Sequence, residues 1–369
     1  MASAQSAAQK RQWPDEYAEM LKHYQDFAQR ELARVQRNLL VLSDDDKASL
    51  VNQPEVQVQQ MEAAMAANMA VLDKLTGLMQ RAANEGRDLS GAAPVGGKPV
   101  QVLLQTLVRE WAADGLEERQ ECLEKLLGAL EAHRAATTSL GLRTSTSPFR
   151  VMIPGSSVGR LAFEAQARGC EVESCEARLL HFFGSELIRE NGALECLRPQ
   201  PFVLGTCNRL CFQDHVRSTP MPDAEVKEGS LSVPQFGEFI HLYDRASAKD
   251  NFDALLTSFS LDVSSNIFRF VRTVAHVVRP GGLWANFGPL AYDTHYEEAD
   301  DHSRELSWEE LRYAVSKFFD IQEEDFVDSL HCADAKSLMQ MQYSCVYFKA
   351  VRNENPASGI GEQSDKLKL

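Results

Sequence analysis

The segment FRVMIPGSSVGRL, residues 149–161, constrains the fold more than any other part of the chain. A short apolar run breaks into a turn carrying Gly155 and Gly159, and Glu176 follows 21 residues after Gly155. A buried strand, a turn bare enough for close backbone approach, a helix start and an acid ending the next strand are what a nucleotide-type cofactor requires, in that order. The two glycines stand four apart, so the spacing G-x-G-x-x-G is not met. By itself the turn is equally a strand-to-helix connection with a capping serine.

From Ser147 onward, short apolar runs alternate with helical segments, the sequence form of an α/β sheet with crossover helices. Strands are expected at 149–153, 171–175, 254–259, 283–287, 318–322 and 343–350. A helix is expected over 266–278, where Ile267, Phe270, Val271, Val274 and Val277 recur at helical spacing, stopped by Arg279-Pro280-Gly281-Gly282. Residues 197–242 are proline-containing and weakly periodic, and read as an insertion carrying surface structure.

The first 140 residues read differently. Helix is expected from Tyr17 to Met79, with a fresh start at Ser43, which precedes three aspartates. Met61, Met65, Met69, Leu72, Leu75 and Met79 form a stripe at a spacing of 3 or 4, a core-facing pattern. A Gly/Pro-rich loop at 84–99 separates this from a second helical run over 100–133, which holds Arg109, Glu110 and Trp111. The expected organisation is a helical region over 1–140, an α/β domain over 141–352 and a disordered tail over 353–369.

A chain of 369 residues that is 44% hydrophobic can bury a substantial core. Its formal charge of −15 argues against a broad basic face for nucleic acid. No stretch approaches 18 uninterrupted apolar residues, and the N-terminus has no signal-type apolar core, so neither export nor a membrane span is expected. Cys170/Cys175 and Cys207/Cys211 lack C-x-x-C spacing, so the eight cysteines read as reduced packing residues of a cytosolic or nuclear protein.

Gly155, Glu176 and Asp262 all fall at ends of expected strands, where open α/β sheets bind ligands. With the R-P-G-G-L-W turn at 279–284, this order fits a class I methyltransferase using S-adenosylmethionine (SAM). The chain resembles the carnosine N-methyltransferases. The resemblance rests on V-M-I-P-G-S-S-V-G-R-L-A-F-E, on Gly237-Glu238-Phe239 followed by Tyr243, on S-F-S-L-D-V-S-S-N, and on R-P-G-G-L-W-A-N-F-G-P-L-A-Y. It continues through E-L-S-W-E-E at 305–310 and Y-S-C-V-Y-F at 343–348, and includes V-R-E-W around Arg109.

The resemblance implies a Rossmann-like, seven-stranded class I methyltransferase sheet with an N-terminal all-helical extension, and SAM as cofactor. It implies that Gly155 meets the cofactor, Glu176 holds its ribose, Glu238 and Phe239 flank its adenine, and Arg109 reaches it from an N-terminal helix. A carboxylate can accept two ribose hydroxyls, and an arginine can pair with the cofactor's carboxylate. The family's glutamine three before that arginine falls on Thr106, with Gln105 beside it; Ser157 stands where the family turn has glycine; Ala254 in the following strand completes the expected cofactor set. For the acceptor, the resemblance implies Asp262 facing an imidazole, assisted by Tyr343. The match loosens there: the family histidine falls on Asp293, with His295 two residues on, and a tyrosine falls on His331.

The leading expectation is therefore a SAM-dependent methyltransferase acting on a small molecule, by default N-methylation of an imidazole dipeptide such as carnosine. Alternatives are S- or N-methylation of a different thioether or amine, and a SAM-binding relative without catalysis. A nicotinamide dehydrogenase comes third, because the dinucleotide spacing is absent. Asp293 beside Asp262 would favour a cationic or amine-bearing acceptor. The long N-terminal helices would either cap the site or form a homodimer surface.

Overall fold

A computed structural model describes residues 13–87, 89, 98–141, 148–264, 266–292 and 305–356. The N-terminal part is helical: α1 (Trp13–Leu40), α2 (Asp44–Ala48), α3 (Pro54–Asn84), α4 (Pro99–Trp111) and α5 (Leu116–Ser139). Ser43 opens α2 through a capping box with Asp46. Pro54 opens α3, so the helix expected from Tyr17 to Met79 is broken on either side of α2. The methionine stripe faces inward as its spacing predicts, with Met61 and Met79 buried and Met65 and Met69 packed at the core's edge.

The remainder runs β1 (Phe149–Pro154), α6 (Arg160–Ala167), β2 (Cys170–Glu176), α7 (Leu179–Glu190), α8 (Phe212–His215), β3 (Gln235–Phe236), α9 (Phe239–Tyr243), β4 (Phe252–Ser258), α10 (Ile267–Val277), β5 (Val278–Gly288), α11 (Trp308–Ser316), β6 (Phe319–Leu330) and β7 (Gln342–Arg352). The seven strands form one sheet in the order β3-β2-β1-β4-β5-β7-β6. Strands β1 to β5 pair in parallel, and β7 enters antiparallel between β5 and β6. This is the Rossmann-like class I methyltransferase sheet. Its order reverses between β1 and β4, the switch point at which such sheets open a crevice.

Both faces are covered, as a parallel sheet requires. Val151 and Ile153 of β1, Ala254 and Leu256 of β4, and Leu283, Ala285 and Phe287 of β5 point into a core shared with α1 and α3 to α7. Met152, Leu255 and Trp284, the alternating residues, point into a second core with α9, α10 and α11. The N-terminal helices are therefore continuous with the sheet's own core. Asn68 of α3 fixes this docking: fully buried, it donates to the Gln200 carbonyl at 3.0 Å and accepts from the Gln200 N–H at 2.7 Å.

Two expectations need correction. The 197–242 segment is not a surface insertion, because it supplies β3 and buries Val203, Met221 and Leu231. Its weak periodicity reflects a two-residue strand and two short helices, too brief to show a repeat. The chain is also ordered beyond 352: Arg352 donates to the Asn355 carbonyl at 2.5 Å, and Asn355 to that of Lys317 at 2.8 Å. Residues 357–369 lie outside the described residues.

Candidate active site

The crevice between β1 and β4 holds a cavity of about 240 Å³. Gly155, Ser157, Arg109, Thr106, Asp262, His331 and Tyr343 all line it, so residues up to 237 positions apart in sequence converge there. Each is carried by a loop or a helix end beside the carboxyl edge of the sheet, apart from Thr106 in the middle of α4 and Tyr343 at the start of β7.

The glycine turn is bound by steric need. Gly155 has φ 61°, and a Cβ there would lie 2.7 Å from Ser260 Cβ, so any side chain at this position must push Ser260 aside. Ser157 adopts φ 54°, a left-handed conformation that costs a serine about 1 kcal/mol. Its N–H donates to Glu176 Oε2 at 2.8 Å, and its hydroxyl hydrogen-bonds Glu110. Trp111, fully buried, donates its indole N–H to the Val158 carbonyl at 2.9 Å. The end of α4 is thereby fastened to the turn.

Glu176 is buried and accepts the Arg178 N–H on Oε1 at 2.8 Å as well as the Ser157 N–H on Oε2. Oε2 keeps lone-pair capacity for a hydroxyl, whereas Oε1 also accepts from the Arg178 Nε at 3.3 Å. The Gly237 N–H donates to the Glu176 carbonyl at 3.0 Å, which sets Glu238 beside this strand end, with His241 Nδ1 3.6 Å from its carboxylate.

Arg109 and Glu110 end α4 as a buried pair of opposite charge, 3.8 Å apart. The Arg109 guanidinium lies 4.6 Å over the Phe259 ring and pairs with Glu118 at 2.9 Å. Burial pushes the Glu110 carboxyl above its usual range, opposed by Arg109 and by bonds from Ser157 and the Arg160 N–H.

Asp262 follows β4. It does not cap α10: that position belongs to Asn266, which accepts from the Arg269 N–H at 2.9 Å. Asp262 Oδ2 instead accepts the Ala291 N–H at 2.7 Å, binding the β4 loop to the loop after β5. The N-F-G-P-L run supports this from behind. Asn286, 1% exposed, accepts from Thr257 at 2.8 Å and donates to the Val346 carbonyl at 2.9 Å, while a Cβ on Gly288 would meet the Phe259 backbone at 3.0 Å. Its glycine thus admits Phe259 to the crevice.

His331 stacks on Phe259, with ring centroids 4.5 Å apart and planes at 27°. Its loop is held from α5, where Glu118 accepts the Cys332 N–H at 2.6 Å and the Ala333 N–H at 3.1 Å. Burial, then the neighbouring Arg109 and Arg178, push the His331 imidazole down to about 3.

Backbone strain gathers at the same place. Among the described residues, five other than glycine, asparagine and aspartate have positive φ: Ser157, Glu195, Phe259, Tyr292 and Cys332. All but Glu195 line the cavity or directly follow a residue that does. Left-handed conformations of such residues persist where surrounding contacts over-determine them, as around functional sites.

A family model described as carnosine N-methyltransferase matches residues 95–354. The chain belongs to the carnosine N-methyltransferase family. It is 28% identical to the carnosine N-methyltransferase of Dictyostelium discoideum, over 68% of this chain and 54% of that protein. It is 26% identical to that of Schizosaccharomyces pombe, over 68% and 69%, and 27% identical to that of Mus musculus, over 66% and 60%. The match thus spans about half to two-thirds of the length of these relatives. TehB from Haemophilus influenzae, a solved structure, aligns at a TM-score of 0.36 and 11% identity, over 61% of this chain and 62% of that one, too distant to carry an argument.

Five residues expected at the cofactor do not line the cavity: Glu176 and Glu238, which stand at the end of β2 beside it, and Gln105, Ala254 and Phe239. Gln105 points off the face shared by Val102, Thr106 and Arg109, one residue being about 100° of helix turn. Ala254 is fully buried mid-strand between Val151 and Leu283. Phe239 packs inward, tilted on Tyr243 and Phe270. Asp293 and His295 lie outside the described residues.

Conversely, Glu110, Arg178, His181 and Phe259 line the cavity and were not anticipated. Arg178 and His181 follow the strand-end acid Glu176 at the start of α7, so their placement beside it was the signal available.

Proposed function

We propose that this chain is a SAM-dependent methyltransferase that methylates a nitrogen of a small imidazole-containing acceptor, with carnosine as the reference substrate. The observation carrying the proposal is the convergence, at the sheet's switch point, of a side-chain-free turn at Gly155, the Arg109–Glu110 pair and Asp262 in one cavity. The residues fit SAM. Opposite charges at Arg109 and Glu110 match the carboxylate and ammonium of its methionyl end, the bare turn allows backbone approach, and Glu176 lies behind the turn for ribose hydroxyls.

When bound, SAM supplies a sulfonium-activated methyl group. The protein's part is orientation and charge. Asp262, whose carboxylate is fixed by the Ala291 N–H, would hold the N–H of an acceptor imidazole and take up its proton as the other ring nitrogen attacks. Val102, Phe259, Val263 and Pro289 supply apolar walls that keep water from the nucleophile. A different small nucleophile is the second reading, favoured by His331 stacking on Phe259 inside the cavity.

Calorimetry with SAM and S-adenosylhomocysteine tests the cofactor, and incubation with SAM and carnosine tests the acceptor. Saturable heat and a product heavier by one methyl substitution are expected. Folded protein that gives no heat with either cofactor form overturns the proposal.

A further inference from the structure

The methyl-transfer roles leave one wall of the cavity unused, at the start of α7. His181 lines it, is 5% exposed, and its buried Nδ1 has no hydrogen-bond partner among the described residues. A buried ring nitrogen without a partner is costly, and a cavity-lining one points to a ligand group that satisfies it. Arg178 lines the same wall, its Nε 3.3 Å from Glu176 Oε1 and its side chain about one-third exposed.

The charge on this wall is fixed. Burial, then Arg178 and His331, push the His181 imidazole well below its ordinary range, so it is neutral at any physiological pH. A neutral imidazole donates from one nitrogen and accepts at the other, whereas Arg178 offers only donors and a permanent positive charge. Asp262 stands after β4, and β1 lies between β4 and β2. Two strand spacings separate the ends of β2 and β4 by about 10 Å. Arg178, His181 and Asp262 line one cavity, so their side chains narrow that gap, and the ring nitrogens and α-carboxylate of a single histidine residue, about 5 Å apart, can each meet one wall.

We propose that Arg178 and His181 form a subsite for an anionic group of the acceptor, so that the substrate class is a zwitterion with its nucleophilic nitrogen at Asp262 and a carboxylate at the start of α7. This rests on the methyltransferase reading and goes further, because it assigns a part of the acceptor remote from the reacting atom. It also opposes the expectation drawn from Asp262 and Asp293 that a purely cationic acceptor is favoured. A cation without a carboxylate would be repelled by Arg178 and leave its remaining guanidinium donors unmatched.

The test uses the full chain saturated with S-adenosylhomocysteine and titrates carnosine and carnosine amide by calorimetry. Carnosine is expected to bind about tenfold more tightly than its amide, the scale of one charge-assisted hydrogen bond. Arg178→Gln and His181→Gln should each erase that preference while leaving the amide's affinity and that of S-adenosylhomocysteine within about twofold. Thermal melts establish that the variants fold.

Equal binding of carnosine and its amide by the unsubstituted protein overturns the subsite. So does a loss of S-adenosylhomocysteine affinity in the variants as large as the loss for carnosine, which assigns the wall to the cofactor. Heat with S-adenosylhomocysteine but none with carnosine overturns the subsite and leaves the methyltransferase reading standing. No heat with S-adenosylhomocysteine from folded protein overturns both.

Discussion

The two sides of the cavity are built by different means. On the β1 side, the turn at Gly155 is shaped by contacts among neighbouring strand ends: the Ser156 N–H to the Cys175 carbonyl at 3.0 Å, and the Ser157 N–H to Glu176. On the β4 side, loops that have no regular structure are hung from distant side chains. Glu118 of α5 holds 332–333, Asp262 holds Ala291, and Arg217 pairs with Asp334 at 2.8 Å. A cofactor common to many enzymes can be met by a local motif. An acceptor particular to one enzyme is met by loops free to vary, provided each is tied to the scaffold by a few long-range bonds.

The largest expected effect lies on the β4 side. Asp262→Ala removes both the proposed proton acceptor and the tie to Ala291, and should lower turnover with carnosine by a factor on the order of 10²–10⁴. S-adenosylhomocysteine affinity, measured by calorimetry, should stay nearly unchanged. A parallel loss of both would show that the two sides are one unit.

The β1 side depends on a buried charge network beneath the turn. Asp223 bridges Arg119 and Arg160, which reach respectively to the Arg109 and Glu110 carbonyls at 3.0 and 3.2 Å. Asp223→Ala leaves the buried Arg119 guanidinium without a carboxylate partner and Arg160 with Glu164 alone, and chemical denaturation should report a loss of about 3 kcal/mol. Glu118→Gln is the matching perturbation on the other side. It keeps one backbone acceptor for 332–333, turns an amide NH2 toward the other N–H and loses the charge facing buried Arg109, so about a tenfold rise in the carnosine KM is expected from initial rates, with a stability loss of about 1–3 kcal/mol.

How legible each side was in the sequence follows from the same contrast. The run of apolar residues before Gly155 and the acid at 176 are local signals, so the switch-point turn could be placed at once. Strands β1, β2, β4, β5 and β7 overlap the expected runs, β6 extends from the expected 318–322 through a largely acidic stretch to Leu330, and β3 is two residues long with no pattern to show. N-F-G-P-L was legible as a motif and its purpose was not, since Asn286 and Gly288 act by supporting Phe259 from behind. Arg178 and His181 were signalled only by their position just after Glu176, and Glu118 reaches the site through the packing of α5 against the sheet. A single sequence carries no spacing rule for that.

Proton linkage separates the sides at equilibrium. His181 and His331 are held below the unfolded histidine value, so the unfolded chain binds more protons and stability rises with pH in that range. Their contribution is fully present above pH ~6.5 and is lost as pH falls from there towards about 3. Denaturation midpoints measured at pH 7.5 and 5 should therefore fall less in a His181→Gln, His331→Gln double variant than in the unsubstituted protein. An equal fall would mean that neither ring is held neutral by the fold.

The smallest effect concerns Ser157, where the two sides meet. A glycine adopts φ 54° without penalty, yet Ser157→Gly also frees the unfolded chain and removes the hydroxyl bond to Glu110. These terms oppose each other, so its thermal stability should change by less than about 1 kcal/mol. Ser157→Ala keeps the strained backbone and removes only the hydroxyl, so it should melt lower than either. If serine is retained for Glu110 rather than for stability, both variants should bind S-adenosylhomocysteine more weakly than the unsubstituted protein and by similar factors. If instead glycine binds more tightly than serine, the strain at this turn works against the cofactor, and the hydroxyl does not offset it.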